Sequence, residues 1–238
     1  MTGTAKKEEY CATITDVPPA SALFPAPADA AAAIALQQEL RKQVRLENEF
    51  GPIDTLAGVD VGFDIVNNNT RACIALFDAN TRELIGSARA VVPTVFPYIP
   101  GLLSFREIPA LLEAFAALPR MPDMLMVDGQ GVAHPRRLGI AAHLGVILDI
   151  PSLGVAKKKL CGAFTPPDEI KGAHTPLTHR GELIGNVLRS KIKCNPLFIS
   201  AGHRMEQDTA LRIAREWLTT YRLPEPTRIA DQMSKWPV

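Results

Sequence analysis

Asp60 lies in "LAGVDVGF", a run that otherwise reads as an apolar strand. Strand alternation puts Leu56, Gly58, Asp60, Gly62 and Asp64 on one face, and Ala57, Val59, Val61 and Phe63 on the other. A carboxylate in such a run needs a cation, a metal or several donors. The glycines flanking it mark a place that something approaches closely. A salt bridge or a turn amide would satisfy Asp60 equally well. Asp128 repeats the theme at the end of "MLMVD", before "GQG" breaks the strand. An acid at the carboxyl end of a buried strand sits where ligands gather in open α/β sheets, although "DG" is also a turn signal. Glu107 closes "SFRE", which fits the S-x-x-E capping box. Taken alone, these residues favour the cap, but Pro109 would loosen the first turn and free Glu107 to point elsewhere. Three carboxylates from separated segments suit magnesium or manganese. Such an ion neutralises a phosphodiester, activates a water and steadies the leaving oxygen.

Basic and polar residues stand near these acids. "GVAKKKL" puts Lys157 after a short strand with Lys158 and Lys159 beside it. It is either a solvated charge run or a lysine that holds a phosphate, and the P-loop spacing is absent. Arg136, Arg137, Arg189, Lys191 and Lys193 are further candidates for nucleic-acid backbone contacts. His203, in "ISAGHR", reads as structural alone and as a metal ligand or proton relay beside an acidic cluster. His134 precedes a proline and is held extended. In "TVFPYIPGLLSFRE", Pro97 and Pro100 bracket Tyr98 and Ile99. Two prolines so close exclude a core strand, so this is a stiffened loop with a Tyr at its centre.

Two tight turns, "NNNT" and "ANTRE", separate three strand-like runs starting at "TLAGVDVGFDIV", which predicts an antiparallel meander. A helix through about Leu118, the strand "DMLMVDG", the helix "RRLGIAAHLGVILD" and the strand "PSLGVA" follow. Residues 161 to 181, with three prolines and three glycines, read as irregular. "GELIGNVLRS" and "NPLFISAG" read as strands, and a last helix is expected from about Met205 to Tyr221. An earlier helix is expected over Ala30 to Phe50, after a loose tail over residues 1–28. The ending "RLPEPTRIADQMSKWPV" reads as irregular. The order predicts an α/β mixed sheet, three antiparallel strands and then parallel β-α units, with helices on both faces. Residues 29–238 form one domain in this reading. The 238 residues carry 47% hydrophobic and 21% charged residues and a formal charge of +1, so bulk charge does not announce a nucleic-acid binder. Four distant cysteines without a CxxC suggest neither a zinc knuckle nor a redox pair. No signal peptide and no membrane-length apolar run are visible, which makes a cytoplasmic protein the expectation.

"GVDVGF", "PYIPGLLSFRE", "VDGQGVAHPRRLG", "GVAKKKLCG" and "NPLFISAGHR" occur in the order seen in the endonuclease V family, the deoxyinosine 3′ endonucleases. The resemblance runs from about residue 35 to 231, and "TYRLPEPTR" is similar to the tails of bacterial members. It implies a ribonuclease-H-like fold and divalent-metal hydrolysis of DNA at the second phosphodiester bond 3′ to deoxyinosine, leaving 3′-hydroxyl and 5′-phosphate ends. Mg2+ is the implied cofactor, with Mn2+ a substitute, and a monomer is expected. Asp60 and Asp128 match the family's metal-binding aspartates. Glu107 matches its catalytic glutamate and metal ligand, which overturns the pure cap. Lys157 and His203 match a lysine and a histidine of the active site. Tyr98, with Pro97 and Ile99, matches a wedge pushed into DNA beside the lesion. Gly129 and Gly131 would line a pocket for the flipped base, near His134. Two rival readings are an inosine endoribonuclease of the same fold and a binding module that grips nucleic acid without cutting.

Overall fold

A computed structural model describes Phe24 and residues 26–235. Helix α1 (Ala30–Leu40) precedes the meander of β1 (Thr55–Asp64), β2 (Asn69–Asp78) and β3 (Leu84–Pro93), antiparallel neighbours as the alternation predicts. Helix α2 (Leu103–Ala116) crosses to β4 (Met124–Val127), which runs parallel to β1. Helix α3 (Ile140–Leu148) crosses to β5 (Ser152–Ala156), parallel to β4. An antiparallel extension follows: β6 (His174–His179), β7 (Glu182–Leu188) and β8 (Leu197–Ala201). Helices α4 (Gln207–Glu216) and α5 (Glu225–Ser234) close the described chain. The strand order is β3-β2-β1-β4-β5-β8-β7-β6, the mixed α/β sheet that the ribonuclease-H-like expectation requires.

Helices cover both faces of the sheet at its centre, where β4, β5 and β8 are buried along their whole length, while the edge strands β3 and β6 are largely exposed. On one face Val59, Ile74 and Leu125 pack with Phe105, Leu111 and Leu144 of α2 and α3. On the other, Leu56, Phe77 and Met126 pack with Leu211, Trp217 and Ala230 of α4, α5 and the segment between them. Among the described residues no helix is long and apolar enough to cross a membrane.

Four expectations need correction. The helix expected over Ala30 to Phe50 stops at Leu40, with one 3-10 turn over Arg41–Gln43. The following backbone bonds elsewhere instead: the Arg45 amide donates to the His203 ring and the Glu49 amide to the Arg204 carbonyl. The irregular stretch 161–181 contains β6, whose Pro176 is tolerated because β6 lies at the sheet edge. The helix expected from Met205 to Tyr221 is the shorter α4. The ending read as irregular is α5, a difference with consequences for the site. The loose tail expected over 1–28 lies for the most part outside the described residues. Where it is described, Phe24 is buried against Phe105, ring centroids 5.6 Å apart.

His143 on α3 is fully buried between the Phe24 and Phe105 rings, at 5.5 and 5.1 Å, with Nδ1 2.9 Å from the Ser104 hydroxyl. Burial pushes its imidazole down to about 3. In the unfolded chain an imidazole titrates near 6.5, so below that pH the unfolded state takes a proton the folded state refuses. Stability therefore falls as pH drops from about 6.5 toward 3. At pH 5 this one residue costs about 2 kcal/mol. In urea unfolding, His143→Gln is expected to shrink the stability difference between pH 7 and pH 5 by about that amount. An unchanged difference would refute the assignment.

Candidate active site

The sheet topology delivers the acids to one place. Val59 of β1 pairs with Val127 of β4, so Asp60 and Asp128, the next residue of each chain segment, emerge as neighbours. The Asp128 amide is tied to the Val59 carbonyl at 2.8 Å. Val127 in turn pairs with Gly154 of β5, and Lys157 leaves the end of that strand. Helix α5 lies on the same face as Asp60 and adds Asp231. Single carboxylate oxygens of Asp60, Asp128 and Asp231 all lie within 4.8 Å of one another. Ser234, one turn on from Asp231, donates to Asp60 Oδ2 at 2.5 Å.

Lys157 is the central cation. Its ammonium pairs with Asp128 and, at 2.5 Å, with Asp231 Oδ1. Lys235 reaches the other Asp231 oxygen at 2.5 Å. Glu107, buried on α2, stands beside this group without belonging to it. The electrostatics are those of crowded carboxylates. Burial pushes Asp60 up, against the pull of the Ser234 hydroxyl and Lys157. Burial, then the Asp60 charge, raises Asp128 to about 7 despite Lys157. Glu107 is held well above the usual carboxylate range by burial and by the charges of Asp60 and Asp128. Burial alone would raise Asp231, but the two lysines keep it below its usual value. Burial would lower Lys157, and the surrounding carboxylates outweigh it and raise it.

A cleft of about 430 Å³ reaches this cluster at Asp128 and Lys157, with Glu107 beside them; Asp60 and Asp231 do not line it. It brings together six residues picked from the sequence: Tyr98, Glu107, Asp128, Gly129, His134 and Lys157. Tyr98 is 67% exposed. The others picked are placed differently. Ile99 packs against the core and anchors the loop from within, while Pro97 lines a separate apolar cavity. Gly131 lies against β8, where a Cβ would come 2.1 Å from the Ala201 carbonyl oxygen, so it supports the "GQG" turn from behind rather than facing the cleft. His203 donates from Nε2 to Asp149 at 3.1 Å and accepts the Arg45 amide on Nδ1. These partners tie the end of β8 to α3, and His203 is not among the close carboxylates and their partners. Three of the basic helpers are internal ties. Arg189 is buried and donates to the Cys194 and Pro167 carbonyls. Arg137 bridges Glu182 and the His134 carbonyl, and Arg136 is engaged on Gln37 and Gly101. Lys191 and Lys193 are exposed.

The capping box does not form: α2 begins at Leu103, its N-cap Leu102 makes no side-chain bond, and Ser104 lies inside the helix. Pro109 is also inside it. The residue that sequence reasoning missed is Asp231. A signal was present, because a proline and an acid together in a first turn make a helix-start pattern. In α5 it is Pro226 with Glu225, followed by Ile229 and Met233 one turn apart.

The family model described as Endonuclease V matches residues 38–232. The chain belongs to the endonuclease V family. The Endonuclease V of Azotobacter vinelandii is 52% identical over 199 residues, covering 84% of this chain and 90% of that protein. The crystal structure of the Endonuclease V from Streptomyces avermitilis superposes with a TM-score of 0.83 at 39% identity, covering 89% of this chain and 93% of the other. The Ciona intestinalis Endonuclease V, solved with a 24mer DNA containing an inosine followed by a ribo-adenosine, gives a TM-score of 0.75 at 26% identity and covers 86% of this chain and 95% of the other. This endonuclease V family chain is accordingly an endonuclease.

Proposed function

We propose that this chain is a divalent-metal-dependent DNA repair endonuclease that recognises deoxyinosine. In this reading it hydrolyses the second phosphodiester bond 3′ to the lesion and leaves 3′-hydroxyl and 5′-phosphate ends. The observation that carries it is the three-carboxylate cluster with Lys157 beneath a cleft whose mouth presents an exposed Tyr98. The inosine-containing DNA of the Ciona complex supports the lesion assignment.

The residues present fit a divalent ion. Among the described residues, the four carboxylates of Asp60, Asp128, Asp231 and nearby Glu107 face the three cations Lys157, Lys235 and Arg106. That leaves an excess of negative charge, and the all-oxygen donor set suits Mg2+ or Mn2+. Asp60, Asp128 and Asp231 would hold the ion. Bound there, it lowers the pKa of water and offsets phosphodiester charge. Lys157 neutralises a phosphate oxygen at the cleft floor. Glu107, which lines the cleft beside Asp128 and Lys157, is the group placed to take the proton shed by the attacking water. His203 contributes by holding the end of β8 in register. Gly129, with φ +150, lets the backbone pass close to a base in the cleft. Tyr98 displaces the lesion from the stack, a step that costs a few kcal/mol and less at a mispaired inosine. One chain carries every residue of the site, which supports action as a monomer.

Purified protein with Mg2+ is expected to nick a deoxyinosine duplex at the second 3′ phosphodiester and to leave the undamaged duplex intact. Tyr98→Ala is expected to weaken binding of that duplex about tenfold, the worth of one aromatic stacking contact, with metal affinity unchanged. An uncut inosine duplex overturns the proposal. The ribo-adenosine in the Ciona complex favours a second reading, cleavage of inosine in RNA. RNA and DNA oligonucleotides of one sequence, cut side by side, decide between the two.

A further inference from the structure

The loop that presents Tyr98 is held from behind by the N-terminal part of the chain. Its last residue, Gly101, offers one carbonyl oxygen to three donors: Gln37 Nε2 at 3.0 Å, Arg136 Nη2 at 2.7 Å and His134 Nε2 at 3.1 Å. Gln37 comes from α1 and is fully buried. Its Oε1 accepts from Arg136 Nε at 2.5 Å, and its Nε2 also reaches the Leu138 carbonyl at 3.4 Å. The Arg136 amide donates to His134 Nδ1, which leaves Nε2–H of a neutral ring to donate to Gly101. Burial, then the Arg136 charge, pushes that imidazole down to about 4.

A second support lies under the start of the loop. Phe24 is buried on Phe105, and Phe96 stacks on the same ring at 5.7 Å. Phe24 lines, with Val95, Phe96 and Pro97, an apolar cavity of about 460 Å³. The two ends of the loop thus rest on Phe24 and Gln37, neither of which touches the carboxylate cluster.

We propose that Phe24 and Gln37 are positioning residues that brace the Tyr98 loop for displacement of a base from a duplex. A loop that is already ordered loses nothing to ordering when it binds. One that yields under load cannot supply the few kcal/mol that unstacking requires. The inference rests on the inosine-nuclease reading and adds to it a role for the segment before the sheet.

The test uses the full-length chain and inosine oligonucleotides of one sequence, in duplex and in single-stranded form. A single strand needs no base taken out of a paired stack. Gln37→Leu is expected to lower cleavage of the duplex at limiting protein about tenfold, the effect of about 1.4 kcal/mol lost from binding, and to leave single-strand cleavage within about twofold of wild type. Gln37→Glu keeps the acceptor for Arg136 but loses the donation to Gly101, and the same split, smaller, is expected. Phe24→Leu tests the other support with a milder change than alanine, and it too should lower the duplex alone. Melting temperatures are read alongside. Equal losses on both substrates, with or without a fall in melting temperature, overturn the brace, as does wild-type behaviour on both. A wild-type chain that cuts neither substrate overturns the inosine reading and this inference with it, whereas an active wild type with equal losses in the variants overturns the brace alone.

Discussion

Asp231→Asn is expected to lower single-turnover cleavage of an inosine duplex by at least about 10³-fold, because the electrostatic stabilisation supplied through such a site is worth several kcal/mol. The substitution keeps the side chain's shape and removes its charge. Asp231 contributes one of three close carboxylates, and it also holds Lys157 at 2.5 Å, so its loss disturbs both the acids proposed to hold the metal and the lysine proposed to meet the phosphate. Stability should change little, since Lys157 keeps Asp128 and Lys235 is exposed. Titration calorimetry with Mn2+ should show weakened binding in parallel. Asp208→Asn, an exposed acid on α4, serves as the control and should cut normally. A cleavage rate for Asp231→Asn within tenfold of wild type sinks the assignment of the site.

The contrast between Asp231 and its partners shows what could be read in advance. Asp60 and Asp128 were conspicuous because each contradicts the apolar pattern around it, and buried strands leave no room for such a residue without a reason. The meander was legible for a related cause: alternation over β1 and β2 and the turn residues between them act locally. Asp231 broke no pattern. It sits among polar neighbours in a ten-residue helix that opens on prolines. Those prolines read as chain breakers, yet in a first turn the missing N–H costs nothing. His203 was hard to place for the opposite reason. Its neighbours in sequence place it at the end of a strand, but its partners, Asp149 and Arg45, come from segments 54 and 158 residues away. Long-range choices of that kind are set by packing, as is the early end of α1. The proline-bracketed loop was legible as rigid, but its supports, Gln37 and Phe24, were not. A buried glutamine on a largely alanine helix carries no local sign of the carbonyl it reaches.

Three successive strands thus deliver the chemistry, and the last helix completes it. β1 brings Asp60, β4 ends just before Asp128, and β5 ends just before Lys157, each in register with the next. This is the carboxyl edge of the parallel part of the sheet, where ligands bind in open α/β folds. What distinguishes the arrangement is that its third carboxylate does not come from the sheet. It arrives from outside, on a helix that must lie flat against β1.

Gly58→Ala is therefore expected to damage the fold and the chemistry together. A Cβ at Gly58 would stand 2.0 Å from the Pro226 carbonyl oxygen and 2.2 Å from its carbon, and one at Gly62 would stand 2.7 Å from the Ser234 carbonyl oxygen. The glycines beside Asp60 make room for α5 rather than for a ligand. Because the obstacle is backbone, no rotamer change relieves it. Either β1 bows or α5 lifts, and α5 carries both Asp231 and the Ser234 hydroxyl that holds Asp60. Overpacking of this severity is expected to cost about 3 kcal/mol of stability. A displacement of the ligand by about 1 Å is expected to lower cleavage about 10²-fold in the molecules that remain folded. Gly86→Ala provides the comparison, since its Cβ would meet only side-chain atoms at 3.6 Å and beyond. Chemical denaturation and single-turnover cleavage of both variants separate the cases. A Gly58→Ala chain that loses activity at wild-type stability would mean that the glycine serves an approaching ligand, and the helix-seat account would have to be given up.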